Sequence, residues 1–461
     1  MASPQMDRNP SPPPDRDDET AEEDDAIGET VYSKHWLFNT LTRLIQMVTE
    51  QDSEQREGLT ELSEELEEEL CKVWDMAMDK DVAGFLQEFK TPDILLGVIA
   101  KSRHPRLTEI CIGILGNMAC FPDTCMFISQ NDGLRDVLLL LLGDSDPPTL
   151  LETCRLLLTC VSQPDVAPLW LQRIQQQTAT CSNLCFIMRS STNVELLTKV
   201  GELVDKLFDE DEELMKSWLS GPPSESDEDK DTYQDVASAF LEAAVQLRKE
   251  SPKALEAYLH ALQLLTTVDE GLQNLDGGCG VSVWKMVCEV VCEDLCQPDD
   301  PPLILQEQKA LLAPALALLS ALYTNLQTNI SSALVASLLR ILYFDQENQR
   351  GVHQESGDGP TDGKMDEEKD IQLQVLAEIA AELLSTLLSD LPMDVVSELL
   401  KTDHLTEKIW VSALKTLLPQ HNTSVLCFIS TLTEVEPKLA DVIKKKCSIA
   451  SESNEPKPEP T

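Results

Sequence analysis

Three cysteines, Cys288, Cys292 and Cys296, recur at C-x3-C spacing, with Cys181 and Cys185 as a shorter echo. Thiols at that spacing raise the question of zinc. Helix geometry argues against it. At ~1.5 Å of rise per residue the outer two thiols would stand ~12 Å apart. Thiolates sharing a tetrahedral zinc each lie about 2.3 Å from it. The trio also continues an apolar stripe beside Val287 and Val291, so buried, reduced thiols are expected, with no metal and no cofactor. The histidines (His35, His104, His260, His353, His404, His421) sit in no motif with a nucleophile or second ligand. HExxH, GxSxG and Gly-rich phosphate loops are absent. Gly113 and Gly116 read as points of close helix packing. A non-enzyme is expected.

The elements that carry these residues are organised around positions 105–161. Leu107, Ile110, Cys111, Ile114, Leu115 and Met118 fall on one face of a 3.6-residue helix. Leu150, Leu151, Cys154, Leu157, Leu158 and Val161 repeat that face. Cys111 slides onto Cys154 with an offset of 43 residues, within the range of armadillo and HEAT repeats. A short helix over 134–142 lies between them, with Gly143 at its end and Asp146-Pro147-Pro148 breaking the chain. The expected fold is all-α: an armadillo/HEAT-like helical-repeat solenoid, right-handed and monomeric, whose concave surface holds another protein.

Composition sets limits on partners. Asp and Glu number 81 against 36 Lys and Arg, a formal net charge of −45. That balance repels nucleic acid and anionic membrane, so neither is expected as a partner. Either solubility or attraction of basic protein segments follows from it. The cysteines, without a signal peptide, point to a reducing compartment, nucleus or cytoplasm. No apolar run long enough for a membrane span is read.

Along the chain, residues 1–30 are expected to be a disordered acidic tail and 31–219 N-terminal armadillo-like repeats. Ser33 is the expected N-cap of the first helix, whose stripe is Leu37, Leu41, Leu44, Ile45 and Val48; Trp36 and Phe38 dock it as an end cap. Residues 220–231 (SGPPSESDEDKD) form an acidic linker dividing two helical halves. Ser224 and Ser226 carry an acidic residue at +3, which makes them candidate phosphorylation sites, and an unmodified solvated loop is the alternative. Residues 232–344 are central repeats, including a helix from 281 to 297. Residues 345–369 are read as a disordered acidic insertion, 370–447 as C-terminal repeats and 448–461 as a disordered tail. Lys444-Lys445-Lys446 reads either as a nuclear import signal or as cations at a helix C-terminus.

The stretches VYSKHWLFNTLTRLIQMV (31–48) and ELCKVWDMAMDKDVAGFLQEFKTPDILLGVIAKSRHPRLTEICIGILGNMACFPDTC (69–125) resemble the serum amyloid A-like protein family. The resemblance implies an armadillo-like fold, no enzymatic activity, a nuclear location and a role in promoting cell proliferation, notably of fibroblasts under inflammatory stimulation. Importin-type armadillo proteins clamp peptides with asparagines, each preceded by tryptophan four residues earlier. Asn117 matches the asparagine, but Gly113 stands at the tryptophan position; in the next repeat Cys160 and Leu156 replace both. The ladder is absent. Asn117 is kept as the candidate residue of a partner surface, or else it satisfies a local backbone group. The function expected is that of a non-catalytic adaptor for protein partners. The alternative is an acidic chaperone or carrier for basic, histone-like or ribosomal proteins.

Overall fold

A computed structural model of the chain describes residues 25–53, 62–220, 235–297, 302–326, 328–355, 364–402 and 404–448. Among them all regular structure is helical, apart from an isolated antiparallel bridge between Ala26 and Ser33. Contacts gather into two compact units, divided between Ile174 and Gln175.

The first unit holds α1 (Lys34–Ser53), α2 (Glu64–Met76), α3 (Lys80–Glu88), α4 (Thr91–Lys101), α5 (Pro105–Met118), α6 (Pro122–Gln130), α7 (Asp132–Leu141), α8 (Pro147–Val161) and most of α9 (Ala167–Gln176). Local sequence sets each start. Ser63, Asp79, Asn131 and Asp146 cap α2, α3, α7 and α8 by accepting bonds from first-turn N–H groups. Proline opens α5, α6 and α8, where its missing N–H has no helical partner to lose. Ser33 caps α1 as expected, its Oγ accepting from Trp36 N at 3.1 Å.

Each helix packs on its counterpart one repeat away: α2 on α5 and α5 on α8, α3 on α6, α4 on α7. The hydrogen bonds between counterparts show the same period. Asn117 Nδ2 donates to Trp74 O, Thr149 Oγ1 to Pro105 O and Gln163 Nε2 to Ala119 O, across 43, 44 and 44 residues. Helix α5 is buried on every side, from Leu107 to Met118 except Glu109. On α8 the buried face is Leu150, Cys154, Leu156, Leu157, Cys160 and Val161; Leu151 and Leu158 are only half-buried. Each fully buried Leu or Ile stabilises the stack by about 1.5–3 kcal/mol relative to exposure.

The acidic tail ends earlier than residue 30. Ile27 is buried, and Gly28 turns with φ +56°, placing the Glu29 N–H 3.2 Å from Asp81 Oδ2 at the start of α3. A Cβ at Gly28 would overlap that carboxylate, so glycine is required twice over. On α1, Ile45 faces solvent instead of joining the stripe, and Phe38 lies edge-on to Phe89 at 5.2 Å.

The second unit holds α10 (Ala179–Ser190), α11 (Val194–Glu210), α12 (Glu212–Ser220), α13 (Val236–Glu250), α14 (Leu255–Leu265), α15 (Asp269–Asp276), α16 (Gly280–Glu289), α17 (Pro302–Asn325), α18 (Ser332–Glu355), α19 (Lys364–Ser389), α20 (Met393–Leu399), α21 (Glu407–Val435) and α22 (Pro437–Lys446). Again like packs on like: α10 on α13, α11 on α14, α12 on α15 and α14 on α17. A layer of long helices then follows, α17 on α19 and α19 on α21. By length and composition Ile371–Ser389 could cross a membrane, but half of it is buried against α17, α18 and α21, as a core helix would be.

The aromatic side chains Trp218, Phe208, Phe240 and Tyr258 stack edge-to-face in series, with centroids 5.5, 6.0 and 5.9 Å apart, and so join the helices before and after residues 221–234. Two sequence expectations are corrected here. Much of the supposed insertion 345–369 is helical: α18 continues to Glu355 and α19 starts at Lys364. Asp345 is buried there and Gln346 bonds Ser412 and Thr416, contacts that no local pattern reveals. Finally, the helix expected over 281–297 stops at Glu289 and widens into a π-helical turn, Val290–Leu295.

Glycine decides how closely counterparts approach. A Cβ on Gly113 would lie 2.1 Å from the Trp74 ring, and one on Gly201 2.3 Å from the Tyr258 ring. At Gly116 the nearest atom would be the mobile end of Arg155, at 2.8 Å. Gly113→Ala is therefore expected to destabilise by about 1–3 kcal/mol through overpacking. Gly116→Ala should cost less than Gly113→Ala, since it meets the end of one side chain and not a ring, and alanine favours helix by ~1 kcal/mol, although displacing Arg155 loosens its bonds to Asn117 and Gly113 O. Urea unfolding of the two variants measures the contrast.

Candidate interaction surface

The chemistry-bearing cysteines resolve as structural groups. All fourteen are free thiols. Cys111 and Cys154 are fully buried, and burial pushes both thiols up to about 12. Burial likewise raises Cys288 and holds Cys292 at about 11, with Ser337 and Arg340 opposing it. Arg340 closes the end of the π-helical turn. Its guanidinium, buried in α18, donates to the Cys296 carbonyl at 2.5 Å and to Ser337 Oγ at 3.1 Å. Cys296 is the C-cap of that turn, where a helix end leaves carbonyls without an intrahelical partner, and the arginine meets one of them. Cys125 and Cys160 approach to 3.8 Å between α6 and α8, and their contact together with burial pushes the Cys160 thiol up. Among the described residues no three His, Cys, Asp or Glu side chains gather as a metal site would require.

Asn117 sits in α5 beneath a polar row that crosses α2, α5 and α8. It is 6% exposed, so it is reached from solvent hardly at all. Its amide donates to Trp74 O at 2.8 Å and its Oδ1 accepts from Arg155 Nη1 at 3.1 Å. The backbone group it satisfies is thus one repeat away, not local. Arg155 also donates to Gly113 O at 3.2 Å and to Glu152 at 2.7 Å. Beside it Arg106 binds Glu67 and Glu109, each at 2.8 Å, and reaches Cys71 Sγ at 3.4 Å. Those two carboxylates raise the Arg106 guanidinium, keeping it charged. The row therefore presents half-buried Trp74, Glu67, Arg106, Glu109, Glu152 and Arg155 as one interlocked surface. Such a surface offers a partner fixed carboxylates and an aromatic edge. It offers no nucleophile poised beside a base.

Sequence reasoning found Asn117 and Gly113 but missed Trp74 and Arg155. Their pairing needs the distance between helices, although the shared offset of 43 from Trp74 to Asn117 was present in the sequence. Ser224 and Ser226 lie outside the described residues. Lys444–Lys446 occupy the last turn of α22, where Lys444 Nζ bonds Thr433 Oγ1 at 3.2 Å and Lys446 pairs with Glu407. In the second unit His260 of α14 meets Asp205 of α11 at 2.7 Å, and that bond raises the imidazole above its usual range against the opposing effect of burial.

Stacked counterpart helices joined by an interlocked polar face define a helical-repeat protein. The chain belongs to the SAAL1 family: the profile described as "SAAL1 C-terminal domain" matches residues 180–425. Protein saal1 of Danio rerio is 64% identical over 453 residues, spanning 98% of this chain and 96% of that protein. Protein SAAL1 of Homo sapiens is 47% identical over 467 residues, spanning 95% and 98%. The resemblance seen in residues 31–48 and 69–125 thus extends over nearly the whole chain.

Asn117→Ala strips Trp74 O and Arg155 of a partner at once, and a loss of about 1–3 kcal/mol is expected in chemical denaturation. For His260, the folded value lies above the unfolded value of about 6.5. Its pairing therefore contributes fully below that pH and is lost as pH rises through the folded value. The contribution is below about 1 kcal/mol, because the imidazole is partly solvated. Asp205→Asn should flatten this portion of the stability profile, measured by unfolding across a pH series.

Proposed function

We propose that this protein is a non-enzymatic scaffold that binds protein partners along the face formed by successive repeat helices. One observation carries the reading: the polar side chains of α2, α5 and α8 are tied to each other across repeats, by Asn117, Arg155 and Arg106. Groups spent in holding the pitch are rigid, and a rigid row of carboxylates, guanidinium groups and a tryptophan edge suits recognition of another chain. Membership of the family supports a role for the scaffold in cell proliferation, notably that of fibroblasts under inflammatory stimulation, with the nucleus as its place of action.

The formal charge of −45 favours one second reading, an acidic carrier of basic, histone-like or ribosomal proteins. The two differ in their response to salt. Partners held on the repeat face should remain bound when salt is raised from about 0.15 M to about 0.5 M, while basic clients held by solvated acids should be released. The check is quantitative capture from nuclear extract at both salt levels. It is repeated on a chain whose acidic residues in 15–25 and 220–231 are changed to Asn and Gln. A partner set that survives both treatments supports the scaffold; a purely basic set lost in both replaces it with the carrier. In stimulated fibroblasts, depletion should slow proliferation and the full chain should restore it.

A further inference from the structure

The chain is strongly acidic, yet its last two described helices are not. Between Glu407 and Lys446 there are six lysines and four acidic residues. Three of those lysines, Lys408 and Lys415 of α21 and Lys446 of α22, line one open pocket of about 360 Å³ with Glu407, Val411 and Ser412.

The pocket is built rather than incidental. Glu407, Lys408, Val411, Ser412 and Lys415 lie along one face of α21, so the two α21 ammonium groups stand two turns apart. Lys408 is held in place, its Nζ donating to Tyr343 Oη at 2.8 Å and meeting Glu347 at 3.1 Å while lying over the Tyr343 ring. Ser412 is fixed by Gln346, and Lys446 by Glu407. The pocket also adjoins the N-terminus of α21, a helix kinked at His421, whose N-cap, Thr406, makes no side-chain cap bond and whose first turn carries Glu407. First-turn N–H groups without such a cap attract negative charge. Lysines and helix end therefore favour the same kind of ligand, an oxyanion, while the Ser412 hydroxyl is spent donating to Gln346 Oε1. Val411 adds an apolar floor suited to the stem of a side chain.

We propose that this pocket binds an acidic peptide of a partner protein, through a phosphate group or clustered carboxylates. It rests on the scaffold reading only in taking a protein as the ligand. Peptide is favoured over nucleic acid or anionic membrane because an extended polyanion meets the field of the whole acidic chain. A short acidic segment meets chiefly the local lysines. Lysine, a flexible point charge, recognises the charge of such a group more than its shape.

Fluorescence anisotropy of the full-length protein tests this with a labelled peptide carrying one phosphoserine among glutamates. Versions with glutamate or serine at that position separate the two anion sources. Saturable binding of the phosphoserine or glutamate form, weakened at least ~10-fold by Lys415→Glu combined with Lys446→Gln, is expected. Lys285→Glu, a charge reversal at an exposed lysine of α16, should leave it unchanged. Equal weakening by Lys285→Glu, no saturable binding, or tighter binding of a single-stranded oligonucleotide or of phosphatidylserine vesicles overturns the proposal. Circular dichroism melts confirm that the variants fold. If the peptide fails while salt-resistant capture persists, the pocket assignment falls and the scaffold stands; the converse result removes the scaffold reading alone.

Discussion

How near one helix can come to its counterpart governs the rest of this structure. Trp74 lies over the backbone of Gly113 in the first unit, and Tyr258 over that of Gly201 in the second. With no Cβ in the way, the ring meets the helix backbone directly, and Tyr258 Oη also donates to Leu197 O at 2.7 Å. The approach brings main-chain carbonyls within reach of side chains one repeat away, as with Asn117 and Trp74 O. Widen that spacing by one methyl group and those bonds stretch with it, because close-packed interiors transmit such a displacement.

Electrostatics builds on that packing instead of driving it. The cations are few, and the structure spends many of them between helices. Arg106 joins α5 to α2, and Arg155 joins α8 to α5. Arg248 joins α13 to Glu289, Glu293 and Asp294. These guanidinium groups are partly screened by solvent, so each pair contributes modestly. Their effect lies more in register, because a planar donor fork accepts few arrangements of its partners. The excess of carboxylates is left on outer surfaces, such as Glu65 and Glu68 on α2, and gives the chain its acidic character. The lysine pocket of α21 and α22 stands out because it departs from that pattern.

Apolar periodicity was enough to place most helices. The cap Ser33 and the break at Asp146-Pro147-Pro148 marked starts that the structure reproduces. Errors arose where a long-range partner overrode a local signal. The polar run after Phe344 has no stripe, yet Gln346 is held by α21 and the helix continues. Of the cysteines at C-x3-C spacing, expected to be buried, Cys185 and Cys296 are buried while Cys181, Cys288 and Cys292 are half-buried, and the widening of the helix into a π turn around Cys292 has no signal in the local pattern.

The sequence by itself determined the class of fold, the 43-residue period and the acidic charge. Each is a property of composition or of spacing along a single helix, and helix periodicity is local. Which side chains meet across repeats was decided only by the tertiary structure. Asn117, legible as a ladder residue, became a buried strut, and Trp74 and Arg155 became its partners. The physical reason is that pairing between helices depends on their separation and rotation. Those are set jointly by many buried side chains, and no short stretch of sequence contains them.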